Sequence, residues 1–300
     1  MAAIICGSLA FDTIMTFQGR FSDQILPDQL HNLNVSFLVP TLRRDYGGCA
    51  GNIAYSLLQL GGTALPMAAL GQDGGDYLQR LKTLGISTEY VREIGDTYTA
   101  QAMIMTDMSN NQITAFHPGA MSEAHQTKIT ARADVKIGII APDGRDAMLQ
   151  HAEQFKDAAI PFIFDPGQGL PMFNGTELLR FVELASWITV NDYEGKMLCE
   201  RTGLSEAELS KRVEGLVITL GGEGSEVWVG GEKTLVPPVK AAEVVDPTGC
   251  GDAYRGALLF GLEQGWSLAR CAALGNQLGS LKIAQRGPQN YTVDRAALGL

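Results

Sequence analysis

Cysteine is scarce in this chain, and its five cysteines are scattered over 300 residues. They do not form a Cys-x-x-Cys pair, and no histidine lies near them at the spacing of a zinc site. The pattern predicts reduced, structural thiols, and it argues against a disulfide framework or a zinc domain. The cysteines are Cys6, Cys49, Cys199, Cys250 and Cys271.

Long apolar runs and an excess of basic charge are also missing. No run approaches the roughly 18 residues that a membrane-spanning helix needs. The N-terminus, MAAIICGSLAFD, lacks the basic start and the small-residue cleavage site of a signal peptide. The formal net charge is −10, which disfavours general nucleic-acid binding. We therefore expect a cytoplasmic protein that acts on a small molecule, without a nucleic-acid or membrane partner.

The two common nucleotide-binding signatures are absent as well. The sequence contains no G-x-x-x-x-G-K-[ST] motif, and no G-x-G-x-x-G motif follows a predicted strand. A phosphate site in this chain would have to be built in another way.

Short apolar runs rich in Ile and Val alternate with amphipathic segments along most of the chain. Strands separated by helices indicate an α/β fold with a mostly parallel sheet that is covered on both faces. The length allows one large domain or two small ones. The predicted strands are AIICGSLAF, ALPMAALG, VKIGIIAP, IPFIFDPG, WITVND and GLVITLGG, and the predicted helices include GNIAYSLLQLG, DYLQRLKTLG and DAMLQHAEQFKDA.

Two stretches interrupt this alternation, residues 13–46 and residues 97–117. The second alternates polar and apolar residues around MSNNQ, which predicts a hairpin. Together the two stretches could form a small β layer outside the main sheet. A lid over the site and an edge extension that only packs are equally compatible with this pattern.

The stretch VVDPTGCGDAYRGALL contains a glycine-rich turn that leads directly into a helix. The free N–H groups of a helix start carry partial positive charge, and Gly249 and Gly251 would let an anion approach them closely. Asp252 beside such a site makes sense as a base that takes a proton from an attacking hydroxyl. The alternative is an aspartate that only stabilises the helix dipole, which is worth about 0.3–1 kcal/mol.

Three other strand ends carry polar or glycine-rich turns. Asn191 and Glu194 share a helix face, where they would form either a hydrated Mg²⁺ site or a capping box. The turn TLGGEG ends another apolar strand, at the sheet edge where doubly wound folds bind ligands. Asp12 ends the first predicted strand, and Asn52 lies in DYGGCAGN, which opens a helix with three glycines. Both are side chains of the kind that hold sugar hydroxyls, although caps and turns also use them.

With these motifs in place, the chain resembles the ribokinase-like (pfkB) carbohydrate and nucleoside kinases. DPTGCGDAYRGALL is similar to the C-terminal signature of that family, and GGCAGNIAYSLLQLGG is similar to the N-terminal one. NDYE and TLGGEG match the internal motifs in the expected order. The resemblance implies one kinase domain over residues 1–300, a three-layer sandwich with a small β lid.

Two further segments narrow the resemblance to bacterial adenosine kinases. GRFSDQILPDQLHNLNVSFLV and AFHPGAMSEA are similar to their lid and pocket segments. The implied activity is phosphorylation of the adenosine 5′-hydroxyl by ATP and Mg²⁺, giving AMP and ADP in purine salvage. The alternatives are a broad-specificity nucleoside kinase, a sugar kinase of the same fold, and a nucleoside-binding protein without activity. A homodimer formed through the lid is also compatible with the sequence.

The resemblance assigns a role to each residue that matches a family motif. For catalysis it implies Asp252 as the base, with an anion hole formed by the backbone of Gly249, Cys250 and Gly251. For the nucleoside it implies Asp12, Phe37, Gly48, Asn52, Phe116 and Gln168. For ATP it implies Asn191, Glu194, Thr219, Gly221, Gly224 and Asn276, with Asn191 and Glu194 reaching Mg²⁺ through water. For a monovalent cation such as K⁺ it implies Asp246, Thr248 and carbonyl groups near Gly287.

Two positions depart from the family pattern. Cys250 stands where a small alanine is commoner, and its backbone role should persist. Gly169 follows Gln168 where a second glutamine can occur, so one contact to the base is missing. This departure weakens the case for strict adenosine selectivity.

Overall fold

The computed structural model describes residues 2–25, 34–109 and 111–300. Residues 26–33, which belong to the first predicted lid stretch, lie outside the described residues. The strands are β1 Ala2–Cys6, β2 Ala10–Thr16, β3 Thr41–Gly47, β4 Thr63–Gly71, β5 Val91–Ile94, β6 Ala100–Thr106, β7 Gln112–His117, β8 Val135–Ile140, β9 Phe162–Phe164, β10 Trp187–Asn191, β11 Gly215–Thr219, β12 Ser225–Val229 and β13 Glu232–Val236. The helices are α1 Phe21–Gln24, α2 Cys49–Gln59, α3 Gly75–Leu84, α4 Arg145–Asp157, α5 Gly175–Leu184, α6 Asp192–Thr202, α7 Glu206–Leu209, α8 Cys250–Glu263 and α9 Leu268–Ile283.

Nine strands form the main sheet, in the order β13-β12-β11-β10-β9-β8-β1-β4-β5. The seven strands from β11 to β5 pair in parallel, while β12 and β13 add antiparallel strands at one side. The mostly parallel sheet predicted from the apolar runs is therefore confirmed. Its strands are apolar on both sides because helices cover both faces.

Alternate residues of the interior strand β1 face opposite layers. Ala3 and Ile5 pack into the core formed with α2, α3, α8 and α9. Ile4 and Cys6 pack into the core formed with α4, α5 and α6. The result is a three-layer α/β/α sandwich, as expected. Across the residues that the structure describes, no helix is long and apolar enough to cross a membrane.

A separate four-stranded sheet, in the order β3-β2-β6-β7, forms the small β layer. The hairpin predicted around MSNNQ is confirmed as β6 and β7, which pair antiparallel. The prediction of one continuous strand over AIICGSLAF is wrong. The chain leaves the main sheet after Cys6 and enters the lid sheet at Ala10, because β1 pairs with β4 and β8 whereas β2 pairs with β3 and β6.

Candidate active site

Helix α8 begins at the glycine-rich turn, directly beside the edge where the parallel strands end. Gly249 is its N-cap and has φ +79°, a left-handed conformation that favours glycine. The N–H of Cys250 donates to the Pro247 carbonyl oxygen at 3.2 Å, and the first intrahelical bond runs from Ala253 N–H to the Gly249 carbonyl oxygen. The Cys250 N–H, which was expected in the anion hole, is thus already engaged. The N–H groups of Gly251 and Asp252, at the second and third positions of the helix, are the ones left free by the helical bonding pattern. The anion-hole role predicted for the Gly249 backbone stays a prediction.

Asp252 lies in this first turn, where its carboxylate is held by an amide. Asn52 Nδ2 donates to Asp252 Oδ2 at 2.8 Å, although the two residues are 200 positions apart. Burial raises the pKa of Asp252 to about 6; the hydrogen bond from Asn52 opposes that rise, and the charge of Asp165 adds to it. A carboxyl group that titrates near neutrality is suited to general-base catalysis.

Behind Asn52 lies a buried hydrogen-bonded chain that the sequence did not reveal. Gln289 Nε2 donates to Asn52 Oδ1 at 3.0 Å and to the Tyr77 hydroxyl at 2.9 Å. Tyr77 in turn donates to the Gly47 carbonyl oxygen at 2.6 Å. Because Gln289 donates to the oxygen of the Asn52 amide, the NH₂ group of that amide must face Asp252. Gln289 is therefore a positioning residue, and no local pattern in the sequence marks it.

A second group missed from the sequence is the buried ion pair of Asp165 and Arg255. Both guanidinium contacts are short, with Nε to Oδ2 at 3.1 Å and Nη2 to Oδ1 at 3.0 Å, and the residues are only 3% and 6% exposed. Asp165 follows β9, and Arg255 lies one helical turn after Asp252 on the same face of α8. A signal existed, because Asp165 directly follows an apolar strand. Asp12 was predicted to end the first strand in this way, and that prediction is wrong, because Asp12 is the third of the seven residues of β2.

The raised pKa of Asp252 gives a pH prediction. We expect kcat/KM to fall about tenfold per pH unit below about pH 6, because the protonated carboxyl cannot accept the hydroxyl proton. Burial also raises the pKa of Asp12 to about 6, helped by the charges of Asp45 and Asp252, so the fall should steepen when both groups titrate. A pH profile of initial rates measures this, and a flat profile down to pH 5 would contradict it.

Folding stability should move in the opposite direction over the same pH range. Because Asp12 and Asp252 have higher pKa values in the folded state than in the unfolded chain, the folded state binds more protons between about pH 4 and pH 6. The contribution of these two groups to the free energy of unfolding therefore increases as the pH falls through that window. Circular dichroism at each pH would separate the loss of activity from any loss of structure.

The lid sheet brings Asp12 and Phe116 onto one face. Asp12 pairs with Ala102 of β6, and Ala102 pairs with Phe116 of β7. Residues paired directly across neighbouring strands point to the same side of a sheet, and two strand spacings amount to about 10 Å. Phe116 is 53% exposed, so its ring is open to a ligand. A carboxylate and an exposed ring at this separation match the two ends of a nucleoside.

Gly48 has a structural reason to be glycine. It caps α2 with φ +82°, and a Cβ atom at this position would lie 2.5 Å from the Ser8 carbonyl oxygen. The turn directs α2 so that Asn52, in its first turn, reaches Asp252. The nucleoside contact predicted for Gly48 itself stays a prediction.

Phe37 and Gln168, both predicted to contact the nucleoside, lie in segments outside the four strands of the lid sheet. Phe37 packs against Phe17 and Phe21, with ring centroids 5.0 and 5.2 Å apart. Phe17 N–H donates to the carbonyl oxygen of Thr106, the last residue of β6. The Ala102–Phe116 pair lies toward the other end of that strand, so this aromatic cluster lies at the tip of the lid. Gln168 is exposed in the short 3-10 helix Gly167–Met172. The purine contact of Phe37 and the base contact of Gln168 stay predictions.

Asn191 and Glu194 form the capping box that was one of the two readings of their spacing. Asn191 Oδ1 accepts from Glu194 N–H at 2.7 Å, and Glu194 Oε2 accepts from Asn191 N–H at 2.8 Å. Glu194 Oε1 takes no part in the hydrogen bonds of this capping box. Burial raises the pKa of Glu194, the backbone bond from Asn191 opposes that rise, and the charge of Asp165 adds to it. Glu194 therefore lies within electrostatic reach of the Asp165–Arg255 pair beside the α8 start.

The other residues predicted for ATP border the same strand ends. Thr219 pairs directly with Asn191 at the ends of β11 and β10. Gly221 and Gly224 belong to the turn after β11, where Leu220 N–H donates to the Gly224 carbonyl oxygen at 2.8 Å. Asn276 Nδ2 donates to the carbonyl oxygens of Val236 and Pro237. The amide of Asn276 thus holds the chain after β13, and its contact with the ATP base stays a prediction.

Magnesium would fit here only as a hydrated ion. Within the described parts of the chain, no three His, Cys, Asp or Glu side chains come together to hold a metal. Mg²⁺ usually keeps several waters and uses one or two carboxylates together with substrate phosphates. Glu194, with one oxygen outside the capping box, fits that role.

The segment predicted to bind K⁺ is arranged differently from the expectation. Asp246 Oδ1 accepts from Thr248 N–H and Asp246 Oδ2 accepts from Gly287 N–H, both at 2.9 Å. The carbonyl oxygens of Asp246 and Gln285 accept from Lys282 Nζ at 2.8 and 3.0 Å. An ammonium group already occupies these carbonyl groups, so the residues present do not fit a bound K⁺ as predicted.

The cysteines were predicted to be reduced, structural thiols, and the structure agrees. All five cysteines are free. Burial raises the pKa of the Cys250 thiol to about 11, so this side chain is neutral and acts as a small residue in the turn before α8.

Comparison with known proteins agrees with this geometry. Residues 9–295 match the pfkB family carbohydrate kinases. The chain is 30% identical to the nucleoside kinase of Methanocaldococcus jannaschii over 258 residues, which are 85% of each chain. It is 52% identical to Burkholderia thailandensis nucleoside kinase, solved in complex with inosine, with a TM-score of 0.88 over 98% of this chain and 94% of that one. Adenosine kinase from Sinorhizobium meliloti, at 21% identity and a TM-score of 0.77 over 99% and 98% of the chains, shares the fold.

Proposed function

Because this chain belongs to the pfkB family of carbohydrate kinases, we propose that it is a nucleoside kinase that transfers the γ-phosphoryl group of ATP to the 5′-hydroxyl of adenosine and inosine. The observation that carries the proposal is the position of Asp252. Its carboxylate is held by Asn52 at 2.8 Å, next to helix N–H groups that have no acceptor within α8. A protein that only bound nucleosides would need no base with a pKa of about 6 at an anion site.

A nucleoside is favoured over a free sugar by the face of the lid. The row from Asp12 through Ala102 to Phe116 offers a hydroxyl acceptor at one end and an aromatic ring about 10 Å away at the other. Aromatic faces stack on bases, and this contact is worth about 1–3 kcal/mol per base. The two similar proteins that are named nucleoside kinases support the same choice.

Acceptance of inosine as well as adenosine is supported by Gly169. A Cβ atom at this position would lie 3.1 Å from Met172 Cε and 3.4 Å from Met148 Sδ, so a larger residue would require those side chains to move. Gln168 is then the remaining glutamine for the base edge. A single amide can present either its donor or its acceptor, which suits both purines. The Burkholderia relative, solved with inosine, supports this wider range.

The reaction follows from the positions of the side chains. Asp12 holds the ribose hydroxyls, and the lid sheet covers the nucleoside so that water is excluded. Asp252 accepts the proton of the 5′-hydroxyl as the hydroxyl oxygen attacks the γ-phosphorus, and the bond from the γ-phosphorus to the bridging oxygen breaks so that ADP leaves. The N–H groups of Gly251 and Asp252 stabilise the charge on the phosphoryl oxygens. Mg²⁺, held through water by Glu194, would neutralise charge on the phosphates of ATP.

The test is a substrate panel measured by ADP release from ATP and Mg²⁺. Adenosine, inosine, guanosine, cytidine, ribose and fructose 6-phosphate are offered in parallel, with Asp252→Asn as the blank. We expect turnover with adenosine and inosine. Turnover with adenosine alone would restrict the substrate range, turnover only with sugars would favour the sugar-kinase alternative, and nucleoside binding without ADP release would indicate a binding protein.

Phe116 provides a prediction about the base. Phe116→Ala should raise the KM for adenosine by about 5–150-fold with a smaller change in kcat, because stacking worth about 1–3 kcal/mol is lost far from the reacting atoms. Ile113→Ala, which changes another exposed side chain of the same strand, is the matched control. Steady-state kinetics at saturating ATP measure the effect, and an unchanged KM would remove Phe116 from the pocket.

The homodimer and the cytoplasmic location also stay proposals. In the described part of the chain, β3 and β7 flank the lid sheet, and every residue of β7 is exposed. An exposed strand at the side of a sheet can pair with a second copy. This supports a dimer formed through the lid.

A further inference from the structure

Lys282 is a fully buried lysine whose ammonium group contacts backbone oxygens. It lies in the last turn of α9 and has no exposed surface. Its Nζ atom is 2.8 Å from the Asp246 carbonyl oxygen and 3.0 Å from the Gln285 carbonyl oxygen. Buried lysines are rare unless their charge is matched by acceptors, so this position needs an explanation.

The two acceptors belong to the two segments in which a monovalent cation was predicted. One segment contains Asp246 and Thr248, and the other precedes Gly287. An ammonium group and K⁺ have the same charge and similar size, and carbonyl oxygens are suitable partners for both. A K⁺ ion on the Asp246 oxygen would lie within a few ångströms of Nζ, where two like charges repel strongly in a buried site.

The loop held in this way leads directly into the α8 start. The N–H groups of Val245 and Asp246 donate to the Ile283 carbonyl oxygen at 2.9 and 3.0 Å. Gly287 N–H donates to the Asp246 carboxylate at 2.9 Å. Together with the Lys282 contact, these bonds fasten the chain just before Gly249 to the end of α9. The charge on Lys282 therefore orders the turn that presents the anion-hole N–H groups.

We propose that the ammonium group of Lys282 is a built-in monovalent cation, so that the enzyme needs no K⁺ or other monovalent ion for activity. The inference rests on the proposed kinase function, because the ordered turn matters only if it holds a phosphoryl group. Burial lowers the pKa of Lys282, and the nearby Asp246 carboxylate opposes that shift. The two carbonyl acceptors also favour the protonated amine, which has three donors.

The first test uses the unmodified protein. ADP release with adenosine is measured in KCl, NaCl and tetramethylammonium chloride at equal ionic strength, with ATP supplied as a salt free of K⁺ and Na⁺. We expect the rates to agree within about twofold, since a cation that binds no site has no coupling to activity. Activation by K⁺ of about fivefold or more, the lower end of typical coupling between sites, would overturn the proposal.

The second test opens the position to an external cation. Lys282→Ala leaves room beside the two carbonyl oxygens, and we expect its rate in tetramethylammonium chloride to fall at least about tenfold and to be partly restored by K⁺ or NH₄⁺. Lys282→Gln keeps a hydrogen-bond donor and fills the space without a charge. The rate that this variant loses should therefore not be restored by K⁺ or NH₄⁺. Lys156→Met, which replaces an exposed lysine in the last turn of α4, is the matched control and should behave as wild type.

Thermal unfolding gives a reading that does not depend on turnover. K⁺ should raise the Tm of Lys282→Ala by about 2 °C or more relative to tetramethylammonium, and it should not raise the Tm of wild type, because only the variant has a vacant cation position. An equal rise in both proteins would overturn the proposal. If no nucleoside is phosphorylated in any salt, the proposed kinase function fails, and the Tm series still decides the role of Lys282. If Lys282→Ala does not fold, the wild-type salt series and Lys282→Gln decide it.

Discussion

Asp252→Asn is expected to lower kcat with adenosine by about 10²–10⁴-fold, the range that general-base catalysis contributes. The substitution keeps an oxygen that can accept the bond from Asn52, so the turn at the α8 start should persist. It removes the carboxylate that accepts the proton of the 5′-hydroxyl, which is what the mechanism requires of Asp252. Single-turnover and steady-state rates with ATP and Mg²⁺ measure the effect.

Stability distinguishes this catalytic role from a role in stabilising the helix dipole. Burial raises the pKa of Asp252, which means that its charge is unfavourable in the folded state, so the Tm of Asp252→Asn should not fall. Asp146→Asn is the matched control, because Asp146 is an exposed aspartate in the first turn of α4. It should lose at most about 1 kcal/mol of helix stabilisation and no turnover. Near-normal turnover of a folded Asp252→Asn protein would remove the base from the mechanism.

Arg255→Met should destabilise the fold strongly, lowering the free energy of unfolding by about 3–5 kcal/mol. The guanidinium group makes two contacts with Asp165, and both residues are nearly inaccessible to water. Removing one partner leaves a buried carboxylate without its counter-charge. Urea unfolding followed by tryptophan fluorescence would measure the loss.

A double variant shows whether the cost arises from the unpaired charge. Asp165→Leu/Arg255→Met removes both charges, and it should recover much of the stability, because apolar replacements of buried ion pairs are often neutral or stabilising. A single variant that loses less than about 1 kcal/mol would contradict this account. Arg255 also lowers the pKa of Asp252, so in the surviving fraction of Arg255→Met the acid limb of the pH profile should move to higher pH.

The layered fold was largely predictable because its signals are local. Parallel strands that are covered on both faces must be apolar along their length, and helices that cover them must be amphipathic. The strand Val135–Ile140 was recognised for this reason, whereas the hairpin around MSNNQ was recognised from its alternation of polar and apolar residues. The hydropathy of a short segment does not show which other strand it will pair with in a sheet. Residues 2–11 are buried without interruption, so nothing in their hydropathy shows that Cys6 ends one sheet and Ala10 begins another.

The site was predictable only in part, for a similar reason. Gly249 and Asp252 stood out because two glycines and a carboxylate stand together where a predicted strand leads directly into a helix, and Asn52 stood out because it follows a second glycine-rich turn that opens a helix. That Asn52 bonds to Asp252, and that Gln289 orients Asn52, depends on contacts across 200 and 237 residues of sequence. No spacing rule reaches across that distance.

The sequence by itself determined the class of fold, the strand ends at which ligands would meet the chain and the identity of the candidate base, because each depends on residue type and short-range order. Tertiary structure decided what residue type and spacing left open. It turned Asn191 and Glu194 into a capping box, and it directed Lys282 inward onto the carbonyl groups that the motif had assigned to a metal ion. The physical reason is that a buried charge is stabilised only by the groups that surround it, and those groups come from segments that only the folded chain brings together.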